Sequence, residues 1–270
     1  MSRFEGRVAV VTGAGSGIGR ELALALSRRG ALLAISDVDE AGLAGTVELL
    51  GPVVVDARPL DVTDRAAVLA YADDVAGTYG KVNQVYNNAG IAHAGDVLTA
   101  TFEEIERVVD VDFWGVVNGT KAFLPHLIAS GDGHLVNLSS LFGLLSAPGA
   151  SAYNAAKFAV RGFTESLRQE MLIAGHPVRV TCVHPGGVKT GIARNATLGS
   201  GHDAGSTERF DANLLRLPPE AAAAQILAGV RRNRPRVLVG NDARLLDLVV
   251  RVVGARYQRP MAVLSRRSMR

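Results

Sequence analysis

A single cysteine, Cys182, gives this 270-residue chain no means of forming an internal disulfide. That scarcity suits a reducing, cytoplasmic setting. No run of 18 apolar residues occurs, so no membrane-spanning helix is expected. A valine-rich run begins by residue 7, so no signal peptide is expected ahead of it. The six histidines show no HxH, HxxxH or HExxH spacing, and no catalytic metal is expected. Charge is sparse, and a net +3 is too small a surplus to imply a nucleic-acid partner. Repeats and interdomain linkers are also absent. With 48% hydrophobic residues, the chain is expected to fold as one domain over 1–270 with a sizeable core.

What is present alternates. Strand patterns at 7–12, 31–36, 53–55 onward, 84–86, 134–138, 178–183 and 236–239 are interleaved with helical patterns. The main helices are expected at about 21–29, 64–78, 102–129 and 151–174. Such alternation predicts an α/β fold: a doubly wound parallel sheet of about seven strands, with helices on both faces.

The first strand runs straight into Gly13-Ala-Gly15-Ser-Gly17-Ile-Gly19 and then a helix. Strand, glycine turn and helix form the setting of a Rossmann dinucleotide site. Glycines let the backbone approach a pyrophosphate, which the helix N-terminus favours. The second strand ends at Asp37, where a carboxylate can accept from an adenosine ribose diol and would repel a 2′-phosphate. No basic residue follows at Val38, so NAD is expected over NADP. The alternative is that Asp37 only caps the next helix.

Tyr153 and Lys157 are four apart in a helical pattern, which puts phenol and ammonium on one face. The ammonium is expected to favour the phenolate, lowering the tyrosine from its usual pKa of about 10. A tyrosine so tuned can exchange a proton with an alcohol or ketone oxygen.

Taken in order, these motifs resemble the short-chain dehydrogenase/reductase family in its compact form, over roughly residues 5 to 240. Thr12 to Gly19 is similar to the TGxxxGxG cofactor loop, Asn88-Ala89-Gly90 to the NNAG turn, and Pro185 to Thr190 to the PGxxxT segment. The resemblance implies cofactor contacts at Gly13, Ser16, Gly17, Ile18 and Gly19. It implies others at Asp61 and Val62 beside the adenine, at Asn88, Ala89 and Gly90, and at Pro185, Gly186, Val188 and Thr190. It makes Tyr153 the acid/base group and Lys157 both its tuning partner and a ribose contact. Ser140, 13 residues before Tyr153, becomes the alkoxide donor; its neighbour Ser139 should face away by strand alternation. One position departs from the pattern: Asp112 stands where the family has an asparagine relaying protons. An aspartate there can still accept hydrogen bonds, yet its charge would partly cancel the pull of Lys157 on Tyr153. The family also implies a homodimer or homotetramer built through the long helices at 102–129 and 151–174.

The rest of the site is expected to be apolar, with Phe142 and Leu144 on one side and Ile192 on the other, which favours a hydrophobic small-molecule substrate. Residues 191–217, rich in small and polar types, are expected to form a substrate lid. His184 reads as a structural loop residue, His93 as a candidate for the site mouth, and Cys182 as a buried thiol. Trp114 reads as a core or interface residue. A helical and basic extension follows at about 242–270. Its apolar residues are expected to pack on the domain or a neighbouring subunit; docking on a membrane surface is the alternative. An NAD-sensing or scaffold protein that does no chemistry is the rival to an enzyme.

Overall fold

The structure, a computed structural model, describes residues 4–53, 55–192, 196–199 and 216–268. Seven strands make its main sheet: β1 (Val8–Thr12), β2 (Leu32–Asp37), β3 (Val55–Pro59), β4 (Gln84–Asn87), β6 (Gly133–Leu138), β7 (Val178–Pro185) and β9 (Arg236–Val239). Their order is β3-β2-β1-β4-β6-β7-β9, with every neighbouring pair parallel. A two-stranded ribbon joins β5 (His93–Ala94) to β8 (Thr197–Leu198). The expected doubly wound sheet is therefore present.

Period-two alternation divides the core into two layers. On β1, Ala9 and Val11 face Leu22 and Leu26 of helix α1 (Gly17–Ser27) and Ile226 and Leu227 of helix Pro219–Arg231. Val8 and Val10 face the opposite layer. There they meet Val68 and Tyr71 of α3 (Arg65–Tyr79), Phe123 and Leu127 of α5 (Gly115–Ala129), and Leu167 of α6 (Ser151–Ala174). The chain winds outward from β1 to β3, then returns to β4 on the other side of β1. That reversal opens a crevice above the carboxyl ends of β1 and β4, where ligands of open α/β sheets bind.

Three boundaries differ from expectation. β3 starts at Val55, with Val53 exposed, because Gly51 and Pro52 precede it on the sheet edge. Helix α1 starts at Gly17 rather than residue 21, so the last glycines of the loop are its first turn. The helix expected over 102–129 is divided into α4 (Phe102–Val109), a π-turn over Asp110–Trp114, and α5. Turns of this kind often sit at functional sites, and this one carries Asp112.

Beyond β9 come helix Asn241–Val253, a 3₁₀ turn at Gly254–Tyr257 and helix Gln258–Ser268. Much of the expected lid lies outside the described residues. Of its described part, β8 pairs with β5 and Leu217 bridges to Val188.

Candidate active site

A cleft of about 650 Å³ opens above β1 and β4. Gly13 forms its floor with a φ of +66°, and a Cβ there would stand 2.7 Å from the Ala89 Cα. A side chain is thus excluded by both backbone strain and contact. Gly17, at φ +52°, faces the Thr190 side chain, so the 185–190 segment reaches over the glycine loop. Asp37 fixes the loop from β2: one oxygen accepts from the Gly15 N–H at 2.7 Å, the other from Asp39 N–H at 2.9 Å. Asp37 therefore caps no helix. Asp39 does so, accepting from the Gly42 N–H at 3.0 Å. Each Asp37 oxygen keeps a lone pair for a further donor. Arg20, which the sequence did not single out, braces the loop from below by donating to the carbonyls of Gly15 and Gly42.

Ser16 and Ile18 line the cleft with Asp61, Val62, Ala89 and Gly90. Asp61 also accepts from the Thr63 N–H and hydroxyl, both at 2.8 Å. Asn88 borders the cleft, but its amide donates to the carbonyls of Thr12 (3.0 Å) and Gly13 (3.1 Å). Its side chain ties β4 to the glycine loop. Pro185, Gly186, Val188 and Thr190 form the opposite wall. The Gly187 N–H there donates to Asp242 at 2.6 Å, so the start of helix Asn241–Val253 organises this turn. Nothing in the sequence spacing pointed to Asp242.

Ser140, Tyr153 and Lys157 meet at the inner end of the cleft. Ser140 follows β6, and its hydroxyl accepts from the Phe142 N–H at 3.1 Å, leaving its own proton free to donate. Ser139 turns the other way, donating to the Lys157 carbonyl at 2.8 Å. On α6 the Lys157 ammonium sits 5.4 Å from the Tyr153 ring centre. It also lies 3.2 Å from the Asp112 carboxylate and donates to the Leu138 carbonyl at 3.4 Å.

Asp112 is fully buried and accepts from the Ile91 N–H at 2.7 Å. Gly90 allows the turn to lie against this ion pair, since a Cβ there would be 3.2 Å from Asp112 and 3.3 Å from Lys157. Burial pushes the Asp112 carboxyl up, while Lys157 and the Ile91 amide pull it back. Burial opposes the Lys157 charge, but Asp112 and Tyr153 outweigh it and hold the ammonium above its usual range.

Tyr153 differs from expectation. Desolvation pushes its phenol up, and Asp112 adds to this; Lys157 and the Ser140 hydroxyl pull down without prevailing. Tyr153 lines an open cleft, so water tempers the desolvation, but the direction is upward.

Ile192, expected on the substrate side, lines the cleft together with Ile91. Phe142 meets the Tyr153 ring edge-on at 6.2 Å. Leu144 does not edge the site: it is buried with Leu141, Leu145 and Ala243, because the 3₁₀ turn at Leu141–Gly143 breaks the strand alternation. His184 lies in β7 rather than a loop, fully buried, with Nδ1 donating to the Ser140 carbonyl at 2.8 Å. Burial lowers it to about 4, so the ring is neutral. His93 is buried in the β5–β8 ribbon against Thr197 at 2.9 Å, away from the cleft. Trp114 is 43% exposed, with the Arg65 guanidinium 5.9 Å from its ring, so it is not a core residue.

Residues 7–200 match the short chain dehydrogenase family. SadH of Mycobacterium tuberculosis, provisionally named an oxidoreductase, is 62% identical over 266 residues, covering 97% of this chain and 96% of SadH. A short-chain dehydrogenase/reductase from Burkholderia phymatum, solved in complex with NAD, is similar with a TM-score of 0.87 at 30% identity, covering 93% of this chain and 95% of that one. An alcohol dehydrogenase from the archaeon Thermococcus sibiricus, complexed with 5-hydroxy-NADP, gives a TM-score of 0.74 at 25% identity, covering 87% and 96%. Sequence relationship over nearly the whole chain and a shared parallel sheet agree: the protein belongs to the short-chain dehydrogenase/reductase family and is an oxidoreductase.

Proposed function

We propose that this oxidoreductase interconverts a secondary alcohol and a ketone, using NAD and a hydrophobic substrate. One observation carries the reading. Ser140, Tyr153 and Lys157 converge at one end of a cleft whose other end presents the Asp37 carboxylate.

The cleft fits a dinucleotide. Gly13 and Gly17 hold positive φ where a side chain would fill the cradle, and helix α1 starts at Gly17 with its N-terminus towards that cradle. Asp37 would hold the ribose diol, with Asp61 and Val62 beside the adenine. Asp37, Asp39 and Asp61 together give this end a negative character that opposes a 2′-phosphate. Relatives exist with both cofactors, so the preference for NAD rests on these carboxylates. Gly90, Pro185, Gly186, Val188 and Thr190 would border the nicotinamide half. NAD, when bound, supplies the hydride chemistry.

This chain handles the proton. Tyr153 gives it to the ketone oxygen in reduction and takes it from the hydroxyl in oxidation. Lys157 stabilises the phenolate whenever it forms. Ser140 donates to the oxygen as charge develops there, a preorganised contact worth about 10²-fold or more. Ile91 and Ile192 give the substrate side its apolar character. Exposed Phe102, Trp114 and Phe158, on or between the helices that the family uses for assembly, support a homo-oligomer.

The test is NADH absorbance over a panel of secondary alcohols and ketones. Turnover with NAD that falls about 10²- to 10⁴-fold in Tyr153→Phe, with NAD binding retained, supports the assignment. Wild-type turnover in that variant overturns it. Thermal stabilisation by NAD with no turnover on any substrate favours the cofactor-sensing alternative.

A further inference from the structure

The C-terminal helices face two environments. Helix Asn241–Val253 turns Ala243, Leu246 and Val250 inward onto Leu141, Leu144 and Leu145. Packing on the domain therefore accounts for one face only. The other carries Leu245, Leu248, Val249, Val252 and Val253, exposed by 61, 59, 38, 77 and 37%. Their spacing of i, i+3, i+4, i+7 and i+8 makes a single stripe along the helix. Helix Gln258–Ser268 adds Val263 and Leu264, 53 and 62% exposed. Large exposed apolar patches mark interaction surfaces.

The charge on this extension has one sign. Arg244, Arg251, Arg256, Arg259 and Arg266 are exposed. From Leu248 to Arg270 there are six arginines and no lysine, aspartate or glutamate. Asp247 is buried and already paired with Arg251 at 2.9 Å.

We propose that this face docks on an anionic lipid bilayer, with the aliphatic stripe at the acyl boundary and the arginines among the headgroups. A second copy of the chain suits the face less well. Isologous pairing would set arginines against arginines, with no free carboxylate to receive them. Helices of 13 and 11 residues suit lying in the interface plane. Among the described residues no helix is long and apolar enough to cross a membrane.

Co-sedimentation of the full chain with vesicles tests the proposal. Vesicles of phosphatidylcholine with about a third phosphatidylglycerol should pellet it, with binding at least about 10-fold weaker to phosphatidylcholine alone and weakened by added salt. Leu248→Glu with Val252→Glu should abolish pelleting, leaving the melting curve and turnover in solution unchanged. Arg256→Gln and Arg259→Gln should each weaken binding about fivefold. A wild-type chain that ignores anionic vesicles overturns the proposal, as does an undiminished Leu248→Glu/Val252→Glu variant. If that variant instead dissociates an oligomer in sedimentation velocity while the wild type ignores vesicles, the face joins copies and the proposal fails. Because the readout is binding, failure here leaves the oxidoreductase reading untouched.

Discussion

Replacing Asp112 with asparagine removes a charge from the proposed acid/base centre with almost no change of shape. The carboxylate is 3.2 Å from the Lys157 ammonium, which is 5.4 Å from the Tyr153 ring centre, so it lies within about 9 Å of that ring. At an effective dielectric constant of about 20, a unit charge at that distance is worth about 2 kcal/mol, or a little over one pH unit. Asp112 disfavours the phenolate, so removing it makes Tyr153 a stronger acid. In the proposed alcohol oxidation Tyr153 would act deprotonated. The acid limb of the kcat/KM profile should therefore move about one pH unit lower in Asp112→Asn. Below the limb, oxidation should accelerate up to about 10-fold. Stability should move the opposite way. Losing one partner of a buried ion pair costs about 3–5 kcal/mol, because Lys157 keeps its burial and loses its carboxylate. Initial-rate pH profiles and thermal melts read the two effects separately. An acid limb that stays put or moves to higher pH refutes the assignment, since Asp112 would then act on Lys157 alone.

Two further expectations concern Asp37 and His184. Asp37→Asn retains an oxygen for the Gly15 N–H but loses the charge that would face a 2′-phosphate. Its kcat/KM with NAD should fall about 10-fold or more, while the NADP-to-NAD ratio rises; an unchanged ratio would refute the cofactor assignment. His184 sits at about 4 in the fold, below its unfolded value of about 6.5. The unfolded chain binds the extra proton first, so this contribution is complete above about pH 6.5 and is lost as pH falls towards 4. It amounts to about 3 kcal/mol, and His184→Gln should flatten that part of a stability-versus-pH curve measured by denaturant unfolding.

The sheet was legible because parallel strands buried on both faces read as β-branched runs, as in Val8–Thr12 and Val178–Val183. The glycine loop was legible because its conformation admits few other residues, and Tyr153 with Lys157 because helical spacing sets their common face. Other features depend on geometry that spacing does not encode. His184 read as a loop residue because Pro185 follows, yet β7 runs through Pro185 and buries the ring under Ser140. Leu144 read as cleft-facing because its apolar segment follows Ser140, but the 3₁₀ turn at Leu141–Gly143 sends it into a buried cluster instead. Asp242 reaches the Gly187 turn from 55 residues away. No local pattern connects them.

Asp112 shows why a motif and its setting carry different information. Its departure from the family pattern was visible in sequence, as was the sign of its effect on Tyr153. Its strength was not, because a π-turn leaves no mark in the periodicity of 102–129. That turn aims the side chain inward, and full burial then raises every charge interaction it makes. Desolvation is the largest influence on Asp112, Tyr153 and Lys157 alike. For Lys157 the carboxylate at 3.2 Å and Tyr153 together outweigh it, and the ammonium persists. For Tyr153 the same carboxylate adds to it, and the proton is held more tightly. One buried charge thus steadies the lysine and restrains the tyrosine.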